Sequence, residues 1–411
     1  MTRRTAPLWA AFLIVHALTA WLGWVYPSQP MGDVVLVYEP WSTSALTGGS
    51  VVGITEPWVY PQLALLPMLI AKALSLPLVA WLGASGAYLI AWAVLVSILD
   101  AAAFAFLLGR RPSAPRRAAA WFWTAAVLLL GPIALYRIDA VTVPLAVAGG
   151  LLLVRRPAVG TALLTIGAWI KIWPGALVLA AVVAARHRVR VLLTAASVTA
   201  GIIALLFLLG ADQHLFAFLT QQTGRGLQVE AVAATPYLWA TRAGAASVGY
   251  SFEILTFQVE GPGVAAVSAV LTPFMAIAVA GVSVLAGVKA ARGAAFRRLF
   301  PPLALALVAA LIVTNKVGSP QFQTWLIAPI VLWFVYDRTR ASTPAFLVLI
   351  LCALTCLIYP LSYDALLRVE LVPVLVLTLR NLLLIVVLVL GIRSIVRVPT
   401  TSTRIPTIHR R

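Results

Sequence analysis

Acidic residues are scarce in this chain: 12 Asp and Glu among 411 residues, against 30 Lys and Arg, for a formal charge of +18. Charged residues of either sign make up only 10%, and 62% of the chain is hydrophobic. Apolar runs of roughly 20 residues recur to the C-terminus, the length that crosses about 30 Å of hydrocarbon as helix. The chain therefore reads as a polytopic membrane protein. Two-residue alternation of apolar and polar positions is missing, which excludes a closed β-barrel. Lipid offers backbone N–H and C=O groups no water, so the spans must be helices and the fold class all-α. Cysteine is limited to Cys352 and Cys356, one helical turn apart inside an apolar run, which reads as packing and not as a disulfide. There is no phosphate-cradling glycine loop, no Asp-x-Asp pair and no His, Cys, Asp or Glu grouping with metal-ligand spacing. Neither a cofactor nor an obligatory metal is expected.

What is present is a pattern of basic clusters between apolar runs: Arg3-Arg4, 110–117, Arg155-Arg156, 186–190, 292–298, 337–340 and the tail at 399–411. Such spacing marks cytoplasmic loops near anionic headgroups, and no nucleic-acid partner is expected. With every cluster inside, the path of a single domain, 1–411, follows. A first helix at about 8–26, retained and not cleaved as a signal peptide, runs outward to a first outer loop, 27–58. Residues 60–78, with three prolines and Lys72, read as surface-lying or partly inserted. Crossings follow at about 84–109, 118–136, 138–154 and 190–210; a second outer loop spans 211–262. Further helices lie near 263–288, 299–315, 323–337, 342–360 and 381–398. Residues 157–186 start and end inside, and each arm reaches only about 20 Å at 1.5 Å per residue, so the tip at Lys171 stops within the membrane. The sum is about twelve helices in the cytoplasmic membrane, with both termini cytoplasmic.

On this topology Asp33, Glu39, Glu56, Asp139, Asp212, Glu230, Glu253, Glu260, Asp364 and Glu370 fall outside, Asp337 inside, and Asp100 within a span. Chemistry is expected at the outer face or within the bilayer. Asp33 reads either as a cap or as a reactive carboxylate, and Glu39 as a second acid or, in preference, a loop ion-pair partner. Asp100 is either functional or paired with the 110–117 cluster. Lys171 either snorkels or supplies a point charge to a phosphate. Arg380 marks the outer edge of the last span or reaches the same phosphate, while Arg225 and Lys316 bind phosphate or balance nearby acids. Trp41, Trp58, Tyr60, Tyr237 and Trp239 suit an interfacial belt, with Trp58 and Tyr60 also able to stack on a sugar. His214 reads as a loop residue.

Four stretches carry a resemblance. They are GDVVLVYEPWSTSALTGGSVVGITEPWVYPQLALLP, GAWIKIWPGALVLA, QQTGRGLQVEA and NKVGSPQFQTWL. In this order they resemble glycosyltransferase family 87, the polyprenyl-phosphate-mannose-dependent mannosyltransferases of the C-type integral-membrane fold. The matching places are Asp33, Tyr38, Gly48 with Gly49, and Tyr60 with Pro61; then Lys171 and Pro174; then Arg225 through Glu230; then Ser319, Pro320 and Gln321. YRIDAV stands where relatives often have Gly-Gln and Asn, and Phe322 replaces a Tyr common after Ser-Pro-Gln. The resemblance implies transfer of a sugar, mannose by analogy, from a polyprenyl-phosphate donor to a glycolipid or lipoglycan acceptor at the outer face, in cell-envelope biosynthesis. Because the donor already carries its leaving group, a general base suffices. The resemblance gives that role to Asp33, with inversion at the sugar carbon. Lys171, Lys316, Arg380, Arg225, Glu230, Gln321, Tyr60 and Trp58 are the expected substrate-binding residues. The alternatives are arabinofuranose or glucose on the same fold, or a lipid-linked-sugar flippase, which would show paired broken helices and polar residues in several spans.

Overall fold

The computed structural model describes residues 5–221, 224–252 and 256–401. Glu253, the Asp212 side chain and tail residues 402–411 lie outside the described residues. Among those described, eight helical stretches are long and apolar enough to cross a membrane, and three shorter apolar helices accompany them. Among the described residues the named strands are an antiparallel hairpin, β1 (Ser247–Ser251) with β2 (Thr256–Glu260). The protein is an all-α polytopic membrane protein.

The chain begins with α1 (Ala6–Val25) and then α2 (Glu39–Leu46), α3 (Leu65–Ser75) and α4 (Val79–Leu108). The middle of the molecule is α5 (Ala114–Leu130), α6 (Ile138–Leu152), α7 (Pro157–Ile170), α8 (Pro174–Ala184) and α9 (Arg188–Leu208). Two short helices, α10 (Ala217–Thr220) and α11 (Thr235–Arg242), precede the hairpin. The chain ends with α12 (Val264–Ala291), α13 (Phe296–Val313), α14 (Ile327–Cys356), α15 (Tyr363–Leu367) and α16 (Leu371–Val396). Ionisable groups sort to the two ends of the bundle. The basic segments around 116, 155 and 297 lie together, Arg155 near Arg116 and both Arg116 and Arg297 near Tyr336; the long loops bring Asp33, Glu230 and Asp364 together at the other end, here called the loop end.

Burial orders the helices. In α13 72% of the apolar window is buried, whereas α12 and α9 bury 11% and 17% and face outward, where lipid would lie. Lipid is as apolar as leucine and supplies no hydrophobic force between helices, so close backbone approach must hold them. Gly149, Gly150 and Gly160 provide it: a Cβ on Gly160 would strike the Gly149 carbonyl and the backbone at 152–153, and one on Gly150 would strike Leu332. The α6–α7 crossing is thereby tight beside the basic turn at 153–156, at the opposite end of both helices from Asp139 and Lys171. Pro174, which cannot continue α7, opens α8, and Lys171 between them is extended (φ −149°, ψ 132°). Arms of 14 and 11 residues are too short to span hydrocarbon; the turn at 171–173 meets the loop-end start of α6 at Asp139.

Some details differ from the sequence expectation. The stretch expected as a loop at 27–58 carries helix at 34–46, because Val34 and Tyr38 bury against Trp92 and the 135–138 turn. Segment 60–78 keeps to the loop end: Lys72 Nζ lies 3.2 Å from Glu39 and Ser85 donates to the same carboxylate, so Glu39 is a loop ion-pair partner. Helix α16 starts at Leu371, ten residues before the expected boundary near 381, since Arg380 is neutralised within it. Asp100 meets His16 of α1 at 3.1 Å and not the 110–117 cluster, and His16 in turn bonds the Phe12 carbonyl. Asp337 breaks α14 (φ −151°, ψ 74°) into two helices. Cys352 and Cys356 are free and buried.

Candidate functional site

The loop end holds two cavities that share a wall. The larger, about 850 Å³, is polar and bordered by Asp33, Arg137, Gln228, Glu230 and Asp364 among others. The smaller, about 310 Å³, brings together Lys171, Lys316 and Arg225 with Ile172, Leu219, Met275, Phe322 and Trp325. Tyr60, Arg225, Ser319 and Gln321 line both. The rim of the smaller cavity is apolar: Ile172 is 54% and Leu219 49% exposed, beside Thr272 and Met275 on the outward-facing α12. One chamber thus offers cations at its head and hydrocarbon at its mouth; the other offers carboxylates and amides.

Asp33 precedes the helical turn at 34–38 and keeps 38% of its side chain exposed. One oxygen, Oδ2, lies 3.5 Å from Arg137 Nε. Arg137 is itself clamped: it donates to the carbonyls of Pro30 (2.8 Å) and Tyr136 (3.0 Å) and to the Tyr359 hydroxyl (3.0 Å). Burial alone would pull its proton affinity down, but Asp33 and Tyr359 outweigh that and hold it above the ordinary arginine range. Tyr359 donates onward to the Ser28 carbonyl, in a turn where Ser28 and Gln29 take left-handed backbone (φ 58° and 45°). The carboxylate is therefore oriented from one side and open on the other.

Two residues along, Asp139 is completely buried and serves the second cavity. Lys171 Nζ lies 3.6 Å from its Oδ2 and 4.4 Å above the Tyr60 ring, while Trp325 Nε1 donates to its Oδ1 at 2.6 Å. Trp325 stacks on Trp173, whose Nε1 donates to Thr142 of α6. The turn YRID, with an extended Arg137 at the start of α6, sets Arg137 in the wall of the larger cavity and Asp139 behind Lys171 of the smaller. Neither Arg137 nor Asp139 was singled out as a site residue by the sequence reading. The available signal was an opposite-charge pair in an apolar helix-to-helix turn.

The other expected residues divide. Lys171, Lys316, Arg225, Gln321 and Tyr60 converge on the cavities. Burial lowers the proton affinity of Lys316 and of Arg225, the latter partly opposed by Tyr60, and raises that of the Tyr60 hydroxyl against the pull of Lys171. Gly318 makes the approach of Lys316 possible, because a Cβ there would strike the backbone at 230–231. Glu230 borders the polar cavity but is paired with Arg380, which also donates to the Glu230 carbonyl and to Asn381. Arg380 lines neither large cavity. Trp58, 3% exposed, backs Tyr60 and Trp41 edge-on and does not reach either chamber. Among the described residues no three His, Cys, Asp or Glu side chains come together as a metal site. Comparison with protein-family models, curated proteins and solved structures finds no match to this chain.

Proposed function

We infer that this protein is a membrane glycosyltransferase of the C-type kind with about twelve membrane helices, counting short and broken ones. On this reading it uses a polyprenyl-phosphate sugar, mannose by the resemblance above, and works at the outer face of the cytoplasmic membrane. The observation that carries the reading is the junction of a cationic, apolar-mouthed cavity with a polar cavity that presents an open carboxylate. A prenyl phosphate is an anion on a hydrocarbon chain. Lys171, Lys316 and Arg225 match the anion and the rim toward α12 matches the chain.

The reaction is one displacement. The acceptor oxygen bonds to the sugar's anomeric carbon as the bond from that carbon to the phosphate oxygen breaks, and the electron pair leaves with the polyprenyl phosphate. Asp33 takes the acceptor's proton. Cations around the departing phosphate stabilise charge that grows in the transition state. Arg137 holds one oxygen of Asp33 and leaves the other free to face the acceptor. Attack from the side opposite the phosphate inverts the anomeric carbon.

The test is purified protein offered a panel of polyprenyl-phosphate sugars with cell-envelope lipid acceptors, products read by mass spectrometry. Asp33→Asn is expected to cut transfer by about 10²- to 10⁴-fold while donor binding persists. Full-speed turnover by that variant, or no transfer from any lipid-phosphate sugar, rejects the reading.

A further inference from the structure

Four aromatic rings border the polar cavity in an unbroken series. Tyr250 and Phe257 of the β-hairpin are 4.9 Å apart between ring centroids, Phe257 and Tyr363 of α15 are 6.2 Å apart, and Tyr363 and Tyr359 are 5.1 Å apart. Outward, Phe252 lies 5.0 Å from Tyr250. Inward, the Arg137 guanidinium lies 5.6 Å from the Tyr359 ring, and that guanidinium holds Asp33. The rings thus run from the exposed hairpin to the carboxylate.

Core packing accounts for part of this, since Phe257 and Tyr363 rest on the cluster around Leu227 and Leu366. It does not account for Tyr250, 40% exposed, or Phe252, 84% exposed. Nor does it account for the company the rings keep, since Gln228, Thr256, Gln321 and Asp364 line the same chamber. A lipid tail would be matched by apolar walls, as at the rim of the smaller cavity. Rings that meet edge to face (interplanar angles 61°, 76° and 87°), interleaved with amide, hydroxyl and carboxylate groups, suit a sugar ring instead. The negative face of an aromatic ring attracts the C–H bonds on a sugar's flat side, and the sugar's rim of hydroxyls exchanges hydrogen bonds with the polar groups.

We propose that this ladder binds the acceptor as an extended glycan, several linked sugar rings lying along Tyr250, Phe257, Tyr363 and Tyr359 with the terminal hydroxyl at Asp33. The proposal rests on the transferase reading; to the glycolipid or lipoglycan acceptor expected there it adds the residues that grip the glycan and the requirement for several linked rings. The ladder is longer than one sugar ring, so affinity should grow with acceptor length.

The test uses the full-length protein in detergent with mannose and linear manno-oligosaccharides of increasing length. Binding is read without donor by saturation-transfer NMR, and transfer is read separately with polyprenyl-phosphate mannose. Affinity is expected to rise about tenfold from the single ring to the longest chain, and Tyr250→Ala to abolish most of that rise. Tyr250→Phe, which keeps the ring face, should restore it. Affinity independent of length, or a Tyr250→Ala variant indistinguishable from wild type on the longest chain, overturns the proposal. Length-dependent binding with no transfer from any prenyl-phosphate donor keeps the ladder and rejects the transferase; equal transfer to short and long acceptors does the reverse.

Discussion

At Lys171 a single ammonium group meets a buried carboxylate, a tyrosine face and a cavity wall. Removing one partner of a buried pair leaves the other charged and dry. Lys171→Met is therefore expected to lower stability by about 3 kcal/mol, and adding Asp139→Asn to restore most of it. Donor affinity should stay low in the double variant, because the phosphate has still lost its cation. Thermal unfolding and a binding isotherm with polyprenyl phosphate separate the two effects. Lys316 differs, since burial depresses its proton affinity. Its ammonium is lost as pH rises at values below the ordinary lysine range near ~10.4. Donor binding should weaken over that interval, and Lys316→Arg should flatten the dependence. Between the folded and the unfolded pKa the unfolded chain holds more protons, so stability rises with pH there. Lys171 was legible in the sequence because a charge in an apolar run is costly and invites a reason, whereas Arg225 and Lys316, in outer loops, read equally as partners of nearby acids. Arg137 and Asp139 were harder to read: each looks like an ordinary turn residue until the fold brings Asp33 and Lys171 to them.

Between helices, the tip of the α7–α8 hairpin is only as well placed as the α6–α7 crossing beneath it. A methyl group at Gly160 has no room against the α6 backbone, so Gly160→Ala must part the two helices and draw Lys171 away from Asp139. A lowered melting temperature together with weakened donor binding is expected, whereas a change of similar size on lipid-facing α9, such as Gly201→Ala, should alter neither. Helix positions were largely legible, because spans are set by apolar length and basic punctuation. The errors arose where tertiary partners overrule that rule. Arg380 looks like a boundary in sequence, yet Glu230 from a distant loop lets α16 run through it. The helical stretch at 34–46 was hidden because its apolar residues are too few to span and are buried by Trp92 and the 135–138 turn, not by lipid.

Across the whole molecule the segregation of charge gives a direct test of orientation. Ser113 lies in an exposed basic turn and Ser247 on the exposed edge of the loop-end hairpin. The two native cysteines are buried, so single added thiols can be read against a low background. An impermeant thiol reagent should label Ser247→Cys in intact cells and Ser113→Cys only after permeabilisation; the opposite result inverts the assigned topology. The cavities also divide the labour of the molecule along one seam. Val59, Tyr60, Arg225, Ser319 and Gln321 line both chambers and form their common border. On the transferase reading, a spent carrier leaving by the smaller chamber need not dislodge what the larger one grips, so successive additions to one chain need no let-go between rounds.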